Sequence, residues 1–304
     1  MEDFKRLEFE FEDMKFLGVK GTTGTQDSYM KLFDGDSKKV KALDDKVAGK
    51  MGFEKIYEVT GQTYPRKLDA LIVGVLSGIA QSAHKFANDL RMLQHLREIQ
   101  EPFGKGQVGS SAMAYKKNPI KSERMTALAR LVMNFQSIAL TNAGSQYFER
   151  TLDDSANRRI VIPTAFLAID GILNLYHHIV TGMSLNEKIV EANLKKELPF
   201  MATEEILMMA SKAGGDRQKL HEKIRKHSME VRDGMYNDGK ENDLIERLKN
   251  DPDFKAVDFS KNLLKPERFT GRSKEQTEEF LDQRVKPLLK KYKSELGRGF
   301  EVKV

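Results

Sequence analysis

From Arg66 to Glu98 the apolar residues Leu68, Ile72, Val75, Ile79, Ala83, Phe86, Leu90 and Leu93 recur every three or four positions, with no proline between them. That period gathers one stripe of side chains onto one face of an α-helix. Held over this length it predicts a rod of about 50 Å, long enough to set the dimensions of a whole domain. Two further stretches repeat the pattern: Met125, Leu128, Val132 and Phe135, then Val161, Ala165, Ala168, Ile172, Leu175 and Ile179. Pro163 falls near the start of the latter stretch, where a proline costs a helix least. No segment alternates apolar and polar residues convincingly, so the expected fold class is all-α, an elongated long-helix bundle. Three helices of this length carry more apolar surface than they can bury among themselves, which predicts association with other copies.

The flanks differ in character. "MEDFKRLEFEFEDMKF" has Phe4, Leu7, Phe11 and Met14 at helical spacing with no capping residue ahead, and reads like the end of a helix. A glycine- and threonine-rich loop, "GVKGTTGTQDS", and two short helical patterns lead to about Met51. After Met183 the chain changes to shorter units, which divides it into a long-helix domain over 1–183 and a smaller helical domain over 184–304. In the latter, Gly214 and Gly215 read as a helix stop, Asp216 as the next cap, and Ser273 with Gln276 as a capping box.

Composition removes several kinds of chemistry. The 304 residues contain no cysteine, which excludes disulfides, thiolate nucleophiles and cysteine-bound metals and fits a reducing compartment. The net charge of +6 is spread along the chain, with no basic block interleaved with aromatics, so small anions are expected as ligands rather than nucleic acid. The first twenty residues are charged and no eighteen apolar residues run together, so neither a signal peptide nor a membrane span is expected, and the expected location is cytoplasmic. Histidines and carboxylates form no metal-binding spacing, and neither a metal nor a cofactor is expected.

Two segments carry candidate chemistry. "GSSAMAYKKNPIKSERM", residues 109–125, offers a flexible glycine, two hydroxyls, the cation Lys116 and the amide Asn118, ahead of a helix N-terminus whose free N–H groups attract anions. The glycine and lysine spacing is not that of a nucleotide-binding P-loop. The run reads as a carboxylate site with a possible base in it, or as a solvated basic loop. "FERTLDDSANRR", residues 148–159, reads as an acidic and serine N-cap followed by adjacent arginines in a first helical turn. Arg150 and Arg159 flank that cap, as a phosphate monoester would require, although an ordinary capped surface helix would look the same.

The first segment resembles the signature loop of the fumarase and aspartase superfamily, usually Gly-Ser-Ser-x-Met-Pro-x-Lys-x-Asn-Pro, with Ala114 where that pattern has proline. The second resembles the matching segment of the adenylosuccinate lyase family in its eukaryotic form, as do "GVKGTTGTQ", "TGQTYPRK", "ELPFMATE", "HEKIR", "NDLIER" and "FTGR", in order from about Gly18 to Arg272. Tyr115 also suits that family.

The resemblance implies a homotetramer that uses no cofactor. It would cleave adenylosuccinate to AMP and fumarate, and the succinylated aminoimidazole carboxamide ribotide (SAICAR) to its carboxamide and fumarate, in purine synthesis. It further implies Ser110 as the general base, with Ser111 the neighbouring alternative, and Lys116 and Asn118 as holders of the developing aci-carboxylate. Gln62 and Arg124 match substrate-binding positions; Arg150, Ser155 and Arg159 match the nucleotide and phosphate side. The family's general acid is a histidine in a stretch upstream of the part matched, and none of His84, His95, His177, His178, His221 and His227 sits in a matching motif. The chain reads as a C-terminal portion lacking the family's N-terminal domain, with catalysis by these residues alone expected to be crippled. Another lyase of the superfamily, such as an argininosuccinate lyase, and a non-catalytic oligomerisation or nucleotide-binding module are the alternatives.

Overall fold

A computed structural model describes residues 1–104, 106–260 and 262–297. The described residues are mainly helical, in two compact units, one over Met1–Leu185 and one beginning at Asn186. The end of the expected 184–304 domain, residues 298–304, lies outside the described residues.

In the first unit α1 (Glu2–Glu12), α2 (Asp27–Leu32) and α3 (Ser37–Lys50) precede α4 (Lys67–His95). A short strand β1 (Ile99–Gln100), α5 (Ile120–Gly144), α6 (Ser155–Gly182) and a second short strand β2 (Ser184–Leu185) follow. The long helices run up, down and up. Where α4 ends and α5 begins, Gln94 Nε2 donates to the Lys117 carbonyl at 3.0 Å. At the other end, Asn142 near the close of α5 and Asn157 near the start of α6 exchange amide hydrogen bonds of 2.6 and 3.0 Å. β1 and β2 pair antiparallel, Ile99 opposite Leu185, and bring the end of α6 back to the end of α4.

The α6 stripe read from the sequence, Val161 through Ile179, is buried at every named position. In α4 the buried line is turned slightly: Val73, Leu76, Ala80, Ala83, Ala87 and Leu90 face the core, while Ile72, Ile79 and Phe86 are only partly buried at its margin. Alanines at the line of closest approach let the helix axes draw together, and the larger side chains fill the grooves on either side. Phe86 there stacks on Tyr176 of α6 with ring centroids 4.4 Å apart. Both α4 and α6 are long and apolar enough to cross a bilayer by composition. Their buried stripes are instead joined with that of α5 in a single core cluster.

Two local expectations are corrected. α6 begins at Ser155, so Pro163 lies in the helix interior rather than its first turn. There it cannot bond the Arg159 carbonyl, a loss typically worth about 3 kcal/mol, and the residue faces outward. Ser273 and Gln276 form no capping box: α11 (Ser273–Phe280), in the second unit, takes Arg272 as its N-cap residue and has no side-chain cap bond.

That second unit continues with α7 (Glu187–Met201), α8 (Thr203–Lys212), α9 (Arg217–Asp238) and α10 (Leu244–Asn250), and after α11 with α12 (Lys286–Lys291). Its own core gathers Ile206, Leu220, Ile224, Val231, Leu244, Leu248 and Phe254. Gly214 takes φ of +98°, and Asp216 caps α9 by accepting from the backbone N–H groups of Gln218 and Lys219 at 2.9 and 3.1 Å.

Candidate active site

The candidate residues fall into two clusters, at opposite ends of the three-helix bundle. At the end where α5 starts, residues 109–119 form a compact loop. Ser110 Oγ accepts from the backbone N–H groups of Ala112 and Met113 at 3.3 and 3.1 Å. Met113 to Lys116 close a turn through Lys116 N–H and the Met113 carbonyl at 3.0 Å. Asn118 Nδ2 donates to the Gly109 carbonyl at 2.7 Å and ties the base of the loop shut. A Cβ at Gly109 would collide with the Lys116 carbonyl oxygen, so the loop can double back on itself only through a glycine. Ser110 is half-buried, Ser111 and Lys116 are exposed, and Arg124 stands exposed in the first turns of α5.

One expectation about this loop is overturned. The N-terminus of α5 is not free to take an anion, because the buried Glu101 carboxylate already occupies it. Glu101 accepts from Lys121 N–H at 3.0 Å, from Ser122 N–H at 3.0 Å and from Ser122 Oγ at 2.8 Å. A carboxylate here satisfies orphan donors and complements the helix dipole. Gln94, which donates to Lys117, also accepts from Glu101 N–H at 3.0 Å, so both flanks of the loop hang on one side chain of α4. Neither residue was legible as functional. Glu101 lies 20 positions before Lys121, outside any capping spacing, and an isolated glutamine on a long helix carries no local signal.

The second cluster lies where α4 and α6 start. Arg150 Nη1 donates to Gln62 Oε1 at 3.3 Å, and Arg159 Nη1 donates to Ser155 Oγ at 2.8 Å. Gly61 sits so close to Glu149 that a Cβ would strike its carbonyl oxygen, and Gln62 N–H donates to that same oxygen at 3.2 Å. Beneath this surface runs a network that the sequence did not disclose. Arg66 Nε donates to Asp154 Oδ2 at 2.6 Å, with both side chains buried. Arg158 Nε donates to Asp69 Oδ2 at 2.6 Å and its Nη2 to Tyr64 OH at 2.6 Å, while Tyr64 OH donates to Asp69 Oδ1 at 2.8 Å. Burial raises the Tyr64 hydroxyl above its ordinary pKa, and the Asp69 carboxylate adds to the effect. Asp154 stands at the N-cap position of α6 without capping it, since its side chain is committed to Arg66. The adjacent arginines thus divide: Arg158 turns inward to hold the helix starts together, and Arg159 stays exposed beside Ser155.

With α4 spanning 29 residues, the ends it joins are about 42 Å apart. The structure therefore brings Ser110, Lys116, Asn118 and Arg124 to one end and Gln62, Arg150, Ser155 and Arg159 to the other. One copy of the chain does not gather them around a single small molecule.

A family model described as "Adenylosuccinate lyase C-terminus" matches residues 199–280, and one described as "Lyase" matches residues 36–134. The chain is 47% identical over 283 residues to the adenylosuccinate lyase of Schizosaccharomyces pombe, covering 93% of this chain and 59% of that protein. It is 46% identical to that of Saccharomyces cerevisiae, covering 97% and 61%, and 42% identical to that of Schistosoma mansoni, covering 100% and 63%. The chain thus spans about 60% of the length of the curated relatives it matches. Among solved structures, the 3-carboxy-cis,cis-muconate lactonizing enzyme of Pseudomonas putida aligns over 90% of this chain and 57% of its own, with a TM-score of 0.72 at 19% identity. A fumarate lyase of Mesorhizobium sp. BNC1 aligns over 90% and 58%, with a TM-score of 0.71 at 20% identity. At such identity these likenesses speak for the long-helix fold alone. Identity of 42–47% sustained over nearly all of its length, together with the match to the C-terminal family model, makes this chain a member of the adenylosuccinate lyase family.

Proposed function

We propose that this chain supplies the elimination loop and the nucleotide-binding end of an adenylosuccinate lyase, which releases fumarate from adenylosuccinate to leave AMP and from SAICAR to leave its carboxamide. The observation that carries the reading is the setting of Ser110 Oγ, which accepts two backbone N–H groups. An unperturbed serine is far too weak a base to take a proton from carbon. Donors aimed at its oxygen favour the alkoxide and favour Ser110 over Ser111. In this reading Ser110 removes the proton from the carbon next to the one bearing the leaving nitrogen, and Lys116 and Asn118 stabilise the aci-carboxylate that forms. The carbon electron pair then becomes the double bond of fumarate, and the C–N pair stays with the departing amine.

That amine needs a proton from a general acid on the opposite face. Two of the six histidines are already engaged: His84 bonds Asn88 on an exposed face, and His227 is held by Asp251 in the second unit. The resemblance to the adenylosuccinate lyase family implies a histidine upstream of the matched part, and the acid is assigned there. Gln62, Arg150, Ser155 and Arg159 bind the nucleotide and its phosphate, and Arg124 contacts substrate from the loop end. Because the two clusters lie a helix length apart, each site draws its clusters from different copies. Exposed apolar residues flank the buried stripe of α6, Ile160 and Leu167 on one side and Leu173 and Val180 on the other, and offer surface for that association, proposed as a cytoplasmic homotetramer. The exposed pair Arg150 and Arg159 favours a phosphorylated substrate over argininosuccinate.

The test is the absorbance change on cleavage of adenylosuccinate. The 304-residue chain alone should bind AMP without turnover. Mixed hexahistidine-tagged assemblies with a full-length yeast relative, inactivated at its own loop serine, should regain activity. The same mixture made with Ser110→Ala should stay inactive. Hybrid assemblies that form but show no activity would refute the reading, as would turnover by the chain alone at the rate of an N-terminally extended version.

A further inference from the structure

Beside the signature loop, where Phe103 packs near Gly109, lies a cavity of about 580 Å³ lined by Pro102, Phe103, Gln107, Lys121 and His178. Lys121 is 2% exposed, and its ammonium is met by two neutral oxygens, the Pro102 carbonyl at 2.8 Å and Gln107 Oε1 at 2.9 Å. The nearby Glu101 carboxylate is already spent on the N-terminal donors of α5. A buried cation with no carboxylate in ion-pair contact among the described residues is an expensive arrangement. Two further groups at the same cavity could donate to a ligand. Gln107 Nε2 is buried with no hydrogen-bond partner among the described residues, and the His178 ring lines the wall.

We infer that this cavity is a binding site for a small organic carboxylate, gripped by Lys121 Nζ, Gln107 Nε2 and the His178 ring, with its carbon skeleton against Phe103 and Pro102. The remaining ammonium proton of Lys121 and the unpaired amide protons of Gln107 supply the kind of donors a carboxylate accepts. The apolar walls favour an organic acid over inorganic phosphate, whose three charged oxygens would lie against Phe103 and Pro102 unpaired. Burial lowers the pKa of both Lys121 and His178, and a bound anion would reverse that tendency. The site does not depend on the lyase reading, since no reacting group takes part in it.

The experiment follows the His178 ring by NMR in the full chain during titration with succinate and, separately, with inorganic phosphate at matched ionic strength. Succinate should shift the ring resonances saturably, and phosphate should bind about ten- to a hundredfold more weakly, the scale of one lost hydrogen bond to a charged group. Gln107→Glu keeps the acceptor for Lys121 but replaces the free donor with a carboxylate, so it should fold and lose the succinate response. Ser110→Ala should keep it. An unshifted His178, a response that survives Gln107→Glu, or equal affinity for phosphate would overturn the assignment.

Discussion

The Arg66–Asp154 pair holds the starts of α4 and α6 together, and its removal should be among the costliest single changes in the first unit. The two side chains are 5% and 0% exposed, and Asp154 Oδ1 already has no hydrogen-bond partner among the described residues. In Arg66→Met the Asp154 carboxylate keeps, among the described residues, a single cation within ion-pair range, Arg158 Nε at 3.7 Å. Attraction falls inversely with distance, so Arg158 could supply about 70% of what Arg66 gives at 2.6 Å if it were free. It is not free, because its Nε is bound to Asp69 at 2.6 Å. The variant should therefore approach the cost of a stranded buried charge, about 3–5 kcal/mol. Asp154→Leu should cost a similar amount by stranding the Arg66 guanidinium. The double variant removes both charges and should lie within about 2 kcal/mol of the parent, a coupling of at least about 3 kcal/mol. Urea unfolding read by hydrogen exchange at α4 and α6 amides isolates the first unit from the second, and a constant slope against urea would show that stability alone has changed. A double variant as unstable as the sum of the singles, or an Arg66→Met cost below about 1 kcal/mol, would refute the reasoning.

Two further outcomes follow from the loop and from the second unit. Ala114 occupies the second position of the Met113–Lys116 turn, where the fixed φ of proline fits, so Ala114→Pro should raise stability by about 0.4–1 kcal/mol and slow loop amide exchange; a loss of stability would contradict that turn. For Asp251, burial alone would raise the carboxyl pKa. The Asp253 N–H, His227 and Lys223 outweigh it and hold the pKa at about 2 against an ordinary 3.8. A depressed folded pKa gives stability that is present above pH 3.8 and lost as pH falls through about 2. Asp251→Asn should thus cost about 2–3 kcal/mol at neutral pH, and the gap to the parent in acid titrations should close below about pH 2. A gap that persists unchanged into acid would assign the loss to packing instead.

What the sequence disclosed and what it withheld divide along a physical line. Periodicity reports which face of a helix is apolar, and it placed α6 correctly because Val161, Ile172, Leu175 and Ile179 mark its buried line alongside two alanines. It misplaced α4 by part of a turn because alanines, weak in any apolar count, occupy the line of closest approach. Local motifs disclosed the loop, since Gly109 and Asn118 act within ten residues of each other. They could not disclose Glu101, Gln94 or Arg66, whose partners lie 20, 23 and 88 positions away. Nor could they assign Arg158 and Arg159, because consecutive helical residues point about 100° apart and only the packing of α4 decides which one turns inward. The separation of the two candidate clusters was nevertheless implicit in the sequence. Gln62 and Asn118 flank a helix of 29 residues, and a rigid helix of that length cannot bring its own ends together around a molecule the size of a nucleotide. The periodicity that lays α4 out as a rod is thus, on the function proposed above, the same feature that would oblige the loop to work on a substrate held by another copy.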